Sequence, residues 1–328
     1  MSLPDFLFAS PWLVRLLALA IGACFGSFFT VAIGRWPDEG SVITPPSRCT
    51  ACGKRLRSRD NIPVLGWLIR RGRAACCGTP ISPRYIVVEA LTALFALVLV
   101  ERQLAGLAAG GDVRQQALFE LLAGGIFIGG LIIATFVDLE TMMIPDEVSL
   151  GGGAALLALA AFRTAIPPEA ALIGAGVGYL MIQVPFVWVY EAAFGRRGMG
   201  EGDSKLMLFI GAFLGLTGCL FALVAGAIQG LLVFMVVRVF GQRTAPPLDA
   251  GEAREATGAE AGPEDSTCEG SHDLAHHGAE NVDDAGSDLT PSWRHVRLPF
   301  GPLLAVGALE YYFFGPEIIE WYLALLSP

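Results

Sequence analysis

Histidine is scarce in this chain of 328 residues: there are four, and His272, His276, His277 and His295 all lie in or beside one acidic stretch. The apolar body therefore holds no Ser–His–Asp triad, no Cys–His pair and no HExxH zinc helix. Chemistry there falls to Asp, Glu, Lys, Arg, Tyr or Cys. Charge is scarce too, at 16% of residues against roughly a quarter in a soluble domain. Hydrophobic residues make up 54%, and apolar runs recur that are long enough to cross roughly 30 Å of hydrocarbon as helices. A soluble single-core protein is excluded. An all-α, polytopic membrane protein is expected.

The net charge of −9 is unevenly divided. Residues 243–290 hold 12 Asp/Glu and 2 Arg, so the other 280 residues are close to neutral, at +1. That segment is rich in Ala, Gly, Glu and Asp and lacks large apolar residues, which marks a disordered, solvated insert. Acidic balance on an apolar body argues against nucleic acid as a partner.

Eight apolar runs are expected to span the bilayer, at about 11–34, 86–107, 117–138, 148–163, 169–194, 206–218, 219–240 and 299–325. The first reads as a retained helix, not a cleaved signal peptide. The sixth and seventh form one long run that divides at Gly215–Gly218. The pair Gly124–Gly125 and the alternating Gly174, Gly176 and Gly178 suit close helix packing in lipid. With the first residue outside, one face collects 18 of the 22 Lys/Arg, which marks it as cytoplasmic. Arg15, Arg102, Arg114 and Arg163 are the exceptions. The chain then divides into a first transmembrane helix (1–34), a cytoplasmic Cys-containing loop (35–85), a transmembrane core (86–240), an acidic cytoplasmic insert (241–297) and a last transmembrane helix (298–328).

Two polar interruptions lie at the cytoplasmic edge under this topology. One runs from Val137 to Asp146 and closes the third span; the other, Gly198-Met199-Gly200-Glu201-Gly202-Asp203-Ser204-Lys205, opens the sixth. An ionisable residue at membrane depth costs about 2.5–3.5 kcal/mol or more, which makes it a functional candidate. Asp138 directly follows an apolar run. Asp203 follows Gly200 and Gly202, which permit an irregular backbone beside the carboxylate. Two carboxylates brought close in a low-dielectric site share one proton and can activate water, the chemistry of an aspartic protease. Helix-end capping is the plainer explanation of each, and at this point both stand. Asp146, after Pro145, reads as the N-cap of the fourth span. Glu201 and Lys205 read as a solvated charge pair.

Of seven Cys, four (Cys49, Cys52, Cys76, Cys77) fall within 29 residues of a basic loop, a layout closer to metal binding than to a disulfide scaffold. Cys49-Thr50-Ala51-Cys52-Gly53 forms a CxxC knuckle, whereas Ala74-Ala75-Cys76-Cys77-Gly78 lacks that spacing. A structural zinc and a metal-free knuckle both stay open. Cys24 and Cys219 read as packing residues, and Cys268 as incidental.

In these pieces the sequence resembles the bacterial type IV prepilin peptidases, including the leader peptidases of type II secretion. The resemblance runs through Gly26-Ser27-Phe28 with Arg35-Trp36-Pro37, Asp60 to Trp67, Pro80 to Tyr85 with Glu89, the Asp138 to Asp146 stretch, Gly200 to Asp203, and Leu298 to Pro302. It implies that the catalytic aspartates are Asp138 and Asp203, with Gly200, Gly202, Asp146 and Lys205 in support. It further implies a membrane-embedded endopeptidase in the bacterial inner membrane, cutting a basic leader from prepilins or pseudopilins after a Gly at the cytoplasmic face. Many members also N-methylate the new N-terminus with S-adenosylmethionine, an activity loosely linked to the Cys-containing loop. Two departures stand out. The family knuckle has Cys where this chain has Ala74, so Cys49, Cys52 and Cys77 match and Cys76 must substitute if zinc is held. The insert is also longer and more acidic than usual. The competing functions are a presenilin-like GxGD protease and an ion-coupled transporter using Asp138 and Asp203 as a relay.

Overall fold

The computed structural model describes residues 11–38, 41–44, 46–49, 51–57, 61–108, 114–195, 198–241 and 299–326. The expected insert, with Cys268 and all four His, lies outside them, as does Asp60. Among the described residues the regular secondary structure is helical apart from two isolated β-bridges, Arg48–Arg55 and Arg73–Pro80. The helices are α1 (Pro11–Arg35), α2 (Leu65–Ile69), α3 (Arg84–Ala108), α4 (Arg114–Thr141), α5 (Gly152–Ala160), α6 (Pro168–Ile182), α7 (Tyr190–Phe194), α8 (Glu201–Gly241) and α9 (Gly301–Leu326). One compact unit comprises residues 1–231 with 299–328. The second, 232–298, is described only at its start, where it is helical.

Each expected apolar run falls on helix, and among the described residues four helices are long and apolar enough to cross a membrane by length and composition: Pro11–Arg35, Gln116–Thr141, Pro168–Phe194 and Glu201–Arg238. The other runs miss that measure for local reasons. α3 has 25 residues but carries Arg84, Glu89, Glu101 and Arg102, and α9 carries Glu310, Glu317 and Glu320. Glu147–Ala160 is too short. The run 206–240 lies in one 41-residue helix, whose geometry breaks at Gly215 (φ 71, ψ −170). A β-carbon is strained at such a φ, so glycine permits the break. Two π-helical turns, Glu147–Gly151 and Gln183–Val189, interrupt the others. Pro185 lies inside the second, where its missing N–H forbids regular bonding.

Small residues set the closest approaches. A β-carbon on Gly22 would lie 2.6 Å from Ala96 Cβ, and one on Gly26 2.6 Å from Glu89 Cα, so these two α1 glycines let α3 pack against the backbone. Gly174 and Gly178 bring α6 onto the α8 backbone at Gly211, Gly215 and Met207. Gly176 and Gly125 meet nothing within 4 Å, so only part of the expected glycine packing is realised. Around these contacts Phe127 stacks between Phe209 and Phe213, at 5.6 and 4.1 Å between centroids. Cys219 is buried as expected, whereas Cys24 is exposed on α1 and is not a packing residue.

Candidate active site

Three helix termini converge at one end of the bundle. Asp138 lies in the last turn of α4 and is 6% exposed. The chain leaves α4 through Met142, whose left-handed φ of 54 is a helix-ending conformation uncommon for a side-chain-bearing residue. Its N–H bonds back to the Asp138 carbonyl at 2.9 Å. Asp203 lies in the first turn of α8, where its carboxyl takes a backbone hydrogen bond at Gly200. The third terminus is the start of α9: the Gly301 N–H donates to Asp138 Oδ2 at 3.1 Å in a buried bond. The first amides of a helix have no intrahelical acceptor and favour negative charge, so a carboxylate is the natural partner there. Pro302, in the same turn, has no N–H to leave unpaired.

The Asp138 and Asp203 carboxyls are close enough to interact electrostatically. Ile144 is the wedge that sets this corner. Its Cβ is 3.2 Å from the β-carbon position of Gly202, and its Cδ1 is 3.2 Å from that of Gly301. Neither Gly200 nor Gly202 has a left-handed backbone. Gly202 contributes room for Ile144, not the irregular backbone its type suggested.

Supporting contacts hold the corner together, and one corrects an expectation. Asp146 occupies the N-cap position of the π-turn but makes no side-chain cap bond. Its carboxylate instead accepts from Lys205 Nζ, at 2.6 and 2.9 Å. Lys205 thus pairs with a carboxylate 59 positions away. The buried Ser204 hydroxyl lies 2.7 Å from both Gln183 Oε1 and the Glu201 carbonyl, fixing the first turn of α8 to the second π-turn. Neither contact was read from sequence, because both partners are remote.

The Cys-containing segment is tied to this corner through α3. Arg84 opens that helix and pairs with Glu140, two residues past Asp138. The buried Glu89 accepts from Val64 N–H at 2.6 Å, pinning a β-branched residue at φ 60.

Two backbone turns of the same form carry the thiols. Cys49 N–H bonds to Lys54 O and Gly53 N–H to Cys49 O; Ala74 N–H bonds to Thr79 O and Gly78 N–H to Ala74 O, all at 2.9 Å. Ala74 therefore stands in the second turn where Cys49 stands in the first. The Cys76 sulfur compensates by reaching the cluster from within the turn. All four Sγ lie within 4.8 Å of one another, with Cys49–Cys77 at 3.6 Å, Cys52–Cys76 at 3.3 Å and Cys76–Cys77 at 3.8 Å. Tetrahedral zinc with Zn–S bonds of about 2.3 Å places its sulfurs roughly 3.8 Å apart, so the four thiols fit that ion. Hydrogen bonds from Thr79 lower the Cys77 thiol to about 6, while sharing a proton with Cys52 raises Cys76 to about 12. Backbone hydrogen bonds at Cys52 and Ala51 lower Cys49. Lowered thiols supply thiolate, the form that ligates metal.

Comparison with known proteins agrees with this architecture. A family model described as "Bacterial Peptidase A24 N-terminal domain" matches residues 20–102, the Cys-containing region with its flanking helices. A second, "Type IV leader peptidase family", matches residues 125–235, which include Asp138 and Asp203. The chain is similar to a prepilin leader peptidase/N-methyltransferase of Myxococcus xanthus (strain DK1622), at 35% identity over 253 residues covering 74% of this chain and 70% of that one. A protein of the same name from Klebsiella pneumoniae is 37% identical over 220 residues, covering 65% and 90%. Another, from Aeromonas hydrophila, is 27% identical over 340 residues and covers 95% of both chains. No solved structure matches significantly. From the paired-aspartate corner to the thiol turns, this chain belongs to the type IV leader peptidase family.

Proposed function

We propose that Asp138 and Asp203 are the catalytic pair of a leader peptidase that cleaves prepilins or pseudopilins after a Gly at the cytoplasmic face of the bacterial inner membrane. The observation that carries this reading is the convergence of two carboxyls, from the end of α4 and the start of α8, with a buried N–H donor on one of them. The pair holds one proton between its members. The ionised carboxylate takes a proton from water as the oxygen attacks the scissile carbonyl carbon. The protonated partner donates to the carbonyl oxygen, giving a tetrahedral diol. The protonated member then gives its proton to the amide nitrogen while the other takes one from a diol hydroxyl. The C–N bond breaks, releasing the new N-terminal amine and the leader's carboxyl group, and one proton is shared by the pair again. Gly301 N–H supports Asp138 as the ionised member, since it donates to that carboxylate. Lys205–Asp146 and Ile144 hold α8 against the exit from α4.

The segment 35–85 forms a cytoplasmic Cys-containing domain in this proposal, 86–240 the transmembrane peptidase core, 241–297 a cytoplasmic insert, and 1–34 and 298–328 the flanking transmembrane helices, with eight crossings in all. Cys49, Cys52, Cys76 and Cys77 would hold a structural zinc, which when bound would cross-link the two turns. The names of the relatives support a second activity, N-methylation of the new N-terminus, for which S-adenosylmethionine is the methyl donor. The substrates belong to type IV pili or type II secretion. Incubating purified protein with a prepilin and S-adenosylmethionine, with product analysis by mass spectrometry, tests both activities. A product beginning after the leader Gly and heavier by one methyl group is expected; an intact prepilin contradicts the peptidase assignment.

A further inference from the structure

Apart from the aspartate corner, the molecule holds a cavity of about 480 Å³ lined by Arg102, Arg163, Gly215, Thr217, Tyr311 and Tyr312, among others. That volume lies within the range of small-ligand sites, roughly 300–1,000 Å³. Its position is set by α4. Glu120, the partner of Arg163, and Asp138 are eighteen positions apart on this one helix, about 27 Å at 1.5 Å per residue. With Asp138 at one edge of the hydrocarbon layer, the cavity lies at the other.

The cavity is cationic on an aromatic floor. Arg163 is 8% exposed, bonds Glu120 through Nε at 3.1 Å and lies 4.2 Å from the Phe213 ring centroid. Arg102 lies 4.6 Å from the Tyr312 ring centroid and donates to the Tyr312 carbonyl at 2.7 Å. The Phe213 and Tyr312 rings are themselves in contact, at 5.2 Å, so both guanidinium groups rest on one aromatic platform. Opposite them the Thr217 and Tyr311 hydroxyls are 2.8 Å apart, at the break in α8. The charges do not cancel. Arg15 pairs with Glu101 and Arg163 with Glu120, but Arg102 meets no carboxylate among the described residues. A face poor in cations thus keeps, among the described residues, a guanidinium with no carboxylate in contact, in a cavity that also holds two hydroxyls.

We infer that this cavity binds an anionic phosphate group, supplied by the headgroup of an acidic phospholipid in the leaflet facing away from the aspartate pair. Guanidinium presents planar paired donors to phosphate oxygens, hydroxyls add neutral donors, and tyrosine is at home in the headgroup region. An acidic headgroup restores neutrality at Arg102; a zwitterionic one does not.

The test titrates purified full-length protein in neutral detergent with dioctanoyl phosphatidylglycerol, dioctanoyl phosphatidylcholine or inorganic phosphate and follows thermal unfolding. Phosphatidylglycerol should raise Tm saturably and phosphatidylcholine should not. Arg102→Gln should weaken the apparent affinity at least tenfold, and Arg102→Lys less. A saturable, Arg102-dependent shift from phosphate alone, with none added by lipid, assigns the same chemistry to a soluble anion. No saturable shift, or an unchanged one in Arg102→Gln, overturns the site. Native mass spectrometry of the unaltered protein from mixed vesicles is a second measurement, and equal retention of the two lipids also overturns it. Leader cleavage by Arg102→Gln in detergent should match the unaltered protein, so this inference and the peptidase assignment fail separately.

Discussion

Replacing Gly301 with Ala places one methyl group against the aspartate corner. Its β-carbon would lie 2.7 Å from Asp138 Oδ2 and 3.2 Å from both Asp138 Cγ and Ile144 Cδ1, inside van der Waals contact. Ile144 is already wedged against Gly202, so the Asp138 carboxylate must rotate away and lose the 3.1 Å bond from Gly301 N–H. A hydrogen bond to a charged group contributes about 1.5–3 kcal/mol. If that contribution is lost from the transition state, turnover falls about 10- to 150-fold, at 1.4 kcal/mol per factor of ten. The assay is initial-rate cleavage of a prepilin in detergent micelles, read as the shift from precursor to mature band. Gly34→Ala is the control, because its β-carbon meets nothing within 4 Å and should leave the rate unchanged. A Gly301→Ala protein that is correctly inserted and cleaves within twofold of the unaltered protein refutes this account of Asp138.

The Lys205–Asp146 pair is partly exposed, with side chains 26% and 58% accessible, so Lys205→Met or Asp146→Asn should cost no more than about 1 kcal/mol of stability. Each should slow cleavage several-fold, less than Gly301→Ala, in the same initial-rate assay. Cys76→Ser should lower zinc content by elemental analysis, whereas adding Ala74→Cys to that variant should restore it, because position 74 matches Cys49 in the paired turns. Unchanged zinc in Cys76→Ser would exclude that thiol as a ligand. Deleting about 245–288, while keeping Arg238 and Arg294, should leave cleavage largely intact, since a sequence so poor in large apolar residues has little surface to bury. Loss of cleavage in the correctly inserted deletion would assign the segment to substrate or partner binding.

Hydropathy located the helices because each run must satisfy its own backbone in lipid, a constraint that acts on every segment separately. Where charge interrupts an apolar run, as in α3 and α9, length and composition alone do not mark the helix as a crossing. Hydropathy also could not orient helices about their axes: Gly174 and Gly178 pack while Gly176 does not, and Cys24 faces outward while Cys219 is buried. The two aspartates were visible from sequence because each breaks an apolar run at a helix end. Their partners were not. Gly301 N–H reaches Asp138 across 163 positions, and a backbone donor leaves no mark in residue type. The Lys205–Asp146 pair spans 59 positions, a separation at which local spacing gives no signal. The Cys76 role depended likewise on two turns closing face to face, which the irregular spacing concealed.

The central claim is that Asp138 and Asp203 act as one proton-sharing unit. It is tested most directly by measuring single-turnover cleavage of a prepilin by Asp138→Asn and by Asp203→Asn, each verified as inserted and as stable as the unaltered protein. Asparagine keeps the shape and removes the exchangeable charge, so each variant alone should fall below about one-thousandth of the original rate, and the double variant should be no worse than either single one. Either single variant cleaving within tenfold of the unaltered protein would contradict the pairing.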